Sequence, residues 1–283
     1  MAETTPSNRL PSSDNVWRLL ITPPAPGAWN MAVDEAILST AGRGDSPPTL
    51  RLYAWKPACL SLGYAQPFAD VDMERLMARG WDVVRRPTGG RAILHADELT
   101  YSVTAPLDHP LMQGTILESY RRLAAALVAG VRALGIPVEM AEQAPATGAS
   151  KGPVCFEAPS AYEIVVYGKK LIGSAQARKQ EGVLQHGSFP LTGDLTRITQ
   201  VLSFPDEQAR AAAAEKLLGR ATTAQTVLGR EIDWETAAQA IAESFRRELG
   251  ICLERGELSA AELARAEDLL QKKYAHPDWT RRA

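Results

Sequence analysis

Apolar residues keep helical spacing most clearly between Thr115 and Leu134, where Ile116, Tyr120, Leu123, Leu127, Val131 and Leu134 mark one face and Gly135 and Pro137 close the run. A shorter helix is expected after Asn30 as its cap, with Asp34 and Glu35 in the first turn, Met31, Ile37 and Leu38 on the apolar side, and an end at Gly42 and Gly44. Another spans about Asp70 to Arg79 and stops at Gly80. Between and after these, short β-prone runs predict strands at Thr49–Trp55, Cys59–Tyr64, Trp81–Arg86, Ala92–His95 and Leu99–Ala105. A hairpin through Gly168 joins Tyr162–Tyr167 to Leu171–Arg178, and Val183–Phe189 adds a further strand. Past Pro190 the pattern turns helical over Asp194–Leu202, Asp206–Leu218, Trp234–Leu249 and Ser259–Tyr274.

Strands and helices mix without regular βαβ alternation, which predicts an α+β fold with a mixed or antiparallel sheet core flanked by helices. Residues 1–15 are polar, with little to bury, and read as a disordered tail. Residues 16–250 are expected to form the main body and 251–283 a C-terminal helical extension, either a small subdomain or a brace.

Charge narrows the field without choosing within it. At 283 residues and a net charge of −2, the chain has no overall basic field for nucleic acid or an anionic membrane. No basic-then-apolar leader is visible at the N-terminus, and no apolar run approaches the length of a bilayer span. Cys59, Cys155 and Cys252 fit neither a disulfide framework nor a zinc site of paired cysteines, so a reducing cytoplasm is expected.

Candidate chemistry gathers in two stretches. Arg85-Arg86-Pro87-Thr88-Gly89-Gly90-Arg91 places paired glycines after a strand among three arginines. That composition suits close approach to a phosphate, a carboxylate or a thioester carbonyl, and equally a hairpin turn with solvated arginines. Cys155 sits in a loop bounded by Pro153 and Pro159, a setting for a reactive thiol, although a free cysteine is commonly just a small buried hydrophobe. Lys170 opens the return strand of the hairpin; turned inward it would favour a nearby thiolate, and turned outward it is a solvated lysine. Gly173-Ser174-Ala175 leaves room for a ligand or a neighbouring backbone. His95 and His186 end or interrupt strands near these segments without metal-ligand spacing, and a structural role suits either.

Taken together, these residues resemble the superfamily of lipoate–protein ligases, biotin ligases and octanoyltransferases. Arg85 to His95 resembles its RR-x-[ST]-G-G-x-x-x-x-H motif, Lys170 to Ala175 its K-x-x-G-S-A motif, and His186-Gly187-Ser188 its H-G-[ST] segment. Ser61-Leu62-Gly63-Tyr64 and Gln66 match an upstream strand, and Lys273-Tyr274 through Trp279 resembles the end of several relatives. Cys155-Phe156-Glu157-Ala158-Pro159-Ser160 is similar to the CF-[DE]-x-P-S segment of the LipM-type octanoyltransferases, as is Glu98 to Ser102.

The resemblance implies octanoyl transfer from acyl carrier protein, through a thioester on Cys155, to a lysine of a lipoyl domain such as the glycine-cleavage H protein, with no cofactor and no metal. It implies Cys155 and Lys170 as the catalytic pair. Arg86, Thr88, Gly89, Gly90, Arg91, His95, Gly173, Ser174, Ala175 and His186 would surround the substrate, and Leu62, Tyr64, Ile93 and Leu94 would wall the acyl chain. Three rival readings remain: an ATP-dependent lipoate–protein ligase, an amidotransferase between lipoyl domains, and a non-catalytic module that binds lipoyl domains.

Overall fold

The computed structural model describes residues 15–141 and 163–283. Of the expected tail only Asn15 falls within them, and its side chain donates to the Gly250 carbonyl. In chain order the elements are β1 (Val16–Ile21), α1 (Gly27–Ala41), β2 (Thr49–Tyr53), β3 (Cys59–Leu62), α2 (Met73–Ala78), β4 (Asp82–Arg85), β5 (Ile93–His95), β6 (Glu98–Ala105), α3 (Ile116–Ala133), β7 (Glu139–Met140), β8 (Ile164–Val166), β9 (Lys169–Lys179), β10 (Gly182–Pro190), α4 (Glu207–Arg220), α5 (Ala224–Leu228), α6 (Trp234–Leu249), β11 (Cys252–Arg255), α7 (Ala260–Leu269) and α8 (Pro277–Thr280). The segment Asp194–Leu202, expected as a helix, is a 3₁₀ turn over Leu195–Val201.

An eight-stranded sheet runs β11-β1-β2-β6-β10-β9-β8-β7, and a three-stranded sheet runs β4-β3-β5. Both are mixed: β1 is parallel to β11 and β2, while β6, β9 and β10 pair antiparallel. The α+β expectation therefore holds.

The register of the large sheet explains its two faces. Leu50 lies across from Val103 and Leu52 from Tyr101, and this face packs beneath α3 and α6 in the largest apolar cluster. Directly opposed residues share a face, and their chain neighbours point the other way. The reverse face thus carries two polar rows: Arg51, Ser102, His186 and Ala175 abreast, then Tyr53, Thr100, Ser188 and Gly173. Strand alternation sends these residues under α1 and toward the small sheet, so Arg51, Ser102, His186, Thr100 and Ser188 are buried without being apolar.

Helix α1 begins at Gly27, one turn before the expected cap. Asn30 lies inside it and donates to the carbonyls of Ala25 and Ala54 at 3.1 Å each, and Asp34 is fully buried. Pro26 supplies the fixed φ that starts the helix early. Residues 251–283, expected as a helical extension, also put β11 on the edge of the large sheet. Their helix α7 packs on α1, and Glu262 there receives Arg18 of β1 at 2.6 and 2.8 Å.

Candidate active site

A cavity of about 500 Å³ lies between the two sheets, walled by Met31 of α1, Tyr53 at the end of β2 and Trp55 just beyond it, Ile93 and His95 of β5, and the polar rows of β6, β9 and β10. Of the expected site residues, Arg86, Gly89, Gly90, Arg91, His95, Lys170, Gly173, Ser174, Ala175 and His186 all line it. Residues from three separate stretches of sequence are thereby brought to one space.

The Gly89–Gly90 loop is shaped by Arg86. Its guanidinium donates to the Ser61 carbonyl at 2.9 Å, the Gly89 carbonyl at 2.8 Å and the Arg91 carbonyl at 2.7 Å. Arg85 is likewise occupied by backbone, donating to the carbonyls of Gly63, Tyr64, Gln66 and Thr280. Two of the three arginines expected as anion forks therefore hold the loop and its surroundings, and Arg91 alone of the three is left with no hydrogen-bond or ion-pair partner among the described residues. Gly90 takes φ 95°, and a Cβ on Gly63 would strike the Gly90 carbonyl, so both glycines are required by the close approach of β3 to the loop.

Lys170 follows a two-residue turn in which Tyr167 (φ 50°) and Gly168 (φ 74°) both take left-handed backbone. The β8–β9 pairing then slips by one residue, and such an irregularity re-aims the side chains beyond it. Lys170 reaches the cavity wall, only 5% exposed, and donates to Glu163 Oε1 at 2.6 Å. Its carbonyl accepts from Thr222 N–H, which pins the backbone from the α4–α5 side. Cys155 and the Phe156–Ser160 segment lie outside the described residues.

Two imidazoles complete the wall. Thr88, itself off the cavity surface, shares a 2.6 Å hydrogen bond with His186 Nε2, and His186 Nδ1 stands 3.5 Å from Asp34. Burial lowers the His186 pKa, with Asp34 pulling against it, so the imidazole is neutral near pH 7. Asp34 also accepts from Arg51 at 2.7 Å, Tyr53 at 2.8 Å and Ser102 at 2.9 Å. Burial pushes its carboxyl up, but Arg51 and His186 override this and hold it below its ordinary value. On the other side His95 Nε2 shares a 2.7 Å bond with Ser61 Oγ, and His95 Nδ1 a 2.6 Å bond with Glu98, which also accepts from Thr100 and Ser188. The His95 ring is stacked on Trp55, centroids 4.0 Å apart.

Three expectations fail. Leu62 is fully buried in a separate apolar cluster beneath the small sheet, and Tyr64 is 42% exposed against Trp279 and Arg282; neither lines the cavity. Leu94 also lies elsewhere, against the 3₁₀ turn and α4 side, while Ile93 is on the wall. Strand alternation explains the split, since Ser61 and Ile93 face the cavity and their neighbours face away. The sequence reading did not single out Met31, Tyr53, Trp55, Ser61, Thr100 and Ser188 as wall residues. The available signal was parity, because Tyr53, Thr100 and Ser188 stand on the same face as Gly173.

The chain is similar to known proteins along most of its length. Residues 26–246 match the lipoyl protein ligase A/B catalytic domain. The chain is 44% identical over 271 residues to an octanoyltransferase LipM of Kyrpidia tusciae, covering 94% of this chain and 98% of that protein. It is 46% identical over 273 residues to an octanoyltransferase LipM of Moorella thermoacetica, with the same coverage. Among solved structures it is similar to a lipoate-protein ligase A bound with ATP, with TM-score 0.77, 25% identity, and coverage of 93% of this chain and 98% of that one. A bipartite lipoate protein ligase system of Thermoplasma acidophilum gives TM-score 0.78 at 25% identity, covering 93% and 95%. No helix among the described residues is long and apolar enough to cross a membrane. A match across most of the chain places this protein in the lipoyl protein ligase A/B catalytic-domain family.

Proposed function

We propose that the protein is an octanoyltransferase of lipoate biosynthesis. In this reading octanoyl passes from acyl carrier protein to a thioester on Cys155 and then to a lipoyl-domain lysine, such as that of the glycine-cleavage H protein. The observation that carries the reading is a buried, ion-paired Lys170 on the wall of a largely apolar cavity, in a chain 44–46% identical to LipM octanoyltransferases along nearly its whole length.

The chemistry balances without ATP. The Cys155 thiolate attacks the octanoyl thioester carbonyl, a new C–S bond forms, and the carrier leaves as a thiolate that takes up a proton. The acceptor amine then attacks the Cys155 thioester, loses its proton, and forms the amide as the Cys155 thiolate departs. Lys170, held by Glu163, supplies the positive charge that favours the thiolate. Met31, Tyr53, Trp55 and Ile93 give the acyl chain an apolar slot. Backbone amides of the Gly89–Gly90 loop are the candidate donors to the oxyanion.

The test is acyl trapping. With octanoyl-acyl carrier protein alone, mass spectrometry is expected to find an octanoyl adduct on Cys155, which moves to the lysine of added H protein. Cys155→Ala should lose both steps, a fall of a thousandfold or more in transfer, on the order expected for a lost nucleophile. Full activity of Cys155→Ala with ATP and free octanoate would show a ligase instead. Transfer from octanoyl-H protein but not from the carrier protein would show an amidotransferase.

A further inference from the structure

The cavity has a charged rim that the sequence motifs did not reveal. Tyr64 N–H donates to the Thr88 carbonyl at 2.8 Å and Gly63 packs on Gly90, so the Gly63–Tyr64 corner and the Gly89–Arg91 loop form one edge. Each part of that edge carries a guanidinium, Arg91 in the loop and Arg282 against Tyr64. Arg91 lines the cavity itself. Arg282 lies over the Tyr64 ring at 3.9 Å and the Trp279 ring at 4.6 Å, and meets no carboxylate among the described residues.

Arg282 is held there by a strap. Arg85 donates to the Thr280 carbonyl at 2.8 and 3.1 Å, Trp279 Nε1 donates to the Arg85 carbonyl at 2.8 Å, and Phe68 N–H donates to the Ala283 backbone oxygen at 2.7 Å. The backbone is fixed on both sides of Arg282, and its side chain rests on two aromatic faces. A guanidinium ordered in this way loses little entropy when it binds an anion. Its hydrogen bond and charge draw the Tyr64 phenol below its ordinary pKa, with smaller help from Lys179 and Lys273. Those two lysines are paired with Glu35, at 3.4 and 2.6 Å, whereas Arg91 and Arg282 have no carboxylate partner among the described residues.

We propose that Arg91 and Arg282 form an anion subsite on the cavity rim that receives the phosphodiester of the acyl donor's phosphopantetheine arm. This rests on the transferase reading above. The acceptor lysine carries no phosphate, whereas a donor arm carries one between its carrier and the pantetheine that ends in the thioester. Guanidinium forks match phosphate oxygens in geometry as well as charge. The donor sulfur then enters the cavity while the phosphate stays at the mouth.

The deciding experiment compares octanoyl-pantetheine with octanoyl-phosphopantetheine, which differ only in the phosphate, and adds octanoyl-coenzyme A and octanoyl-acyl carrier protein. Wild-type kcat/KM is expected to favour the phosphorylated small donor by about tenfold or more, the scale of a charge-assisted hydrogen bond. Arg282→Met and Arg91→Met should each remove most of that ratio through KM, and salt should weaken it. Arg282→Lys should restore only part of it, because an ammonium lacks the fork.

A wild-type ratio near one overturns the subsite, and that result needs no variant to fold. A ratio unchanged in both Met variants overturns it as well. Loss confined to the carrier protein, with the small phosphorylated donors unaffected, means contact with the protein surface and also overturns it. If no donor acylates Cys155, the transferase reading itself fails; acylation by all donors at equal rates removes the phosphate subsite alone.

Discussion

His95 and His186 flank the same cavity in chains of the same form, a hydroxyl bonded to an imidazole that faces a carboxylate, yet the two carboxylates are stabilised differently. Asp34, behind His186, is bonded to the Arg51 guanidinium and to two hydroxyls. Glu98, behind His95, accepts from the imidazole, Thr100 and Ser188, and no guanidinium or ammonium reaches it among the described residues. Burying a carboxylate is costly, and the fold meets that cost once with a counter-ion and once with hydroxyls. The first arrangement anchors α1 to the sheet. The second ties Trp55, the cavity wall and His95 into one unit through the Trp55 Nε1 bond to Thr100 at 2.8 Å.

The difference is sharpest in the cost of removing each carboxylate. Asp34→Ala leaves Arg51 buried and unpaired, and is expected to cost about 3–5 kcal/mol in urea unfolding. Glu98→Gln keeps an acceptor oxygen and orphans no cation, so about 1–2 kcal/mol is expected. Its larger signature should be in transfer activity, because the His95 ring and Trp55 then lose their fixed positions. Equal stability losses in the two variants would break the comparison.

The smallest effect is in the pH dependence. His186 has a lowered pKa, so below the ordinary 6.5 the unfolded chain takes up its proton before the folded one does. Stability from this residue is therefore complete above pH 6.5 and declines as pH falls toward the lowered folded value. His186→Gln should flatten that slope below pH 6.5. The Glu262 carboxyl, where burial raises the pKa but Arg18 and the α7 cap bring it to about 2, adds its own loss only below 4.5. A slope that persists unchanged in His186→Gln would assign it to other groups.

Much of the architecture was legible from local pattern. The long α3 periodicity, the strand runs and the hairpin at Gly168 follow from side-chain spacing and turn chemistry, which neighbouring residues decide. The same is true of the motif segments, whose residues did converge on one cavity. Parity along β3 and β5 was legible in principle, but not which parity faced inward. Leu62 and Tyr64 were placed on the wall because an acyl slot calls for apolar residues, and the sheet turned Ser61 to that side instead.

By itself, the sequence determined the kinds of element, the order of the chemical motifs and the presence of arginines around a glycine turn. Only the tertiary structure decided what each arginine does. Arg85 and Arg86 are drawn to backbone carbonyls that come from the Gly63 corner, the Gly89 loop and the C-terminal strap, groups up to 195 residues away. Arg51 is matched to Asp34 across two elements, and Arg282 reaches Tyr64 from the far end of the chain. A guanidinium's role depends on which acceptors surround it after folding. Those acceptors are mostly backbone oxygens, which every residue carries and which no residue letter distinguishes.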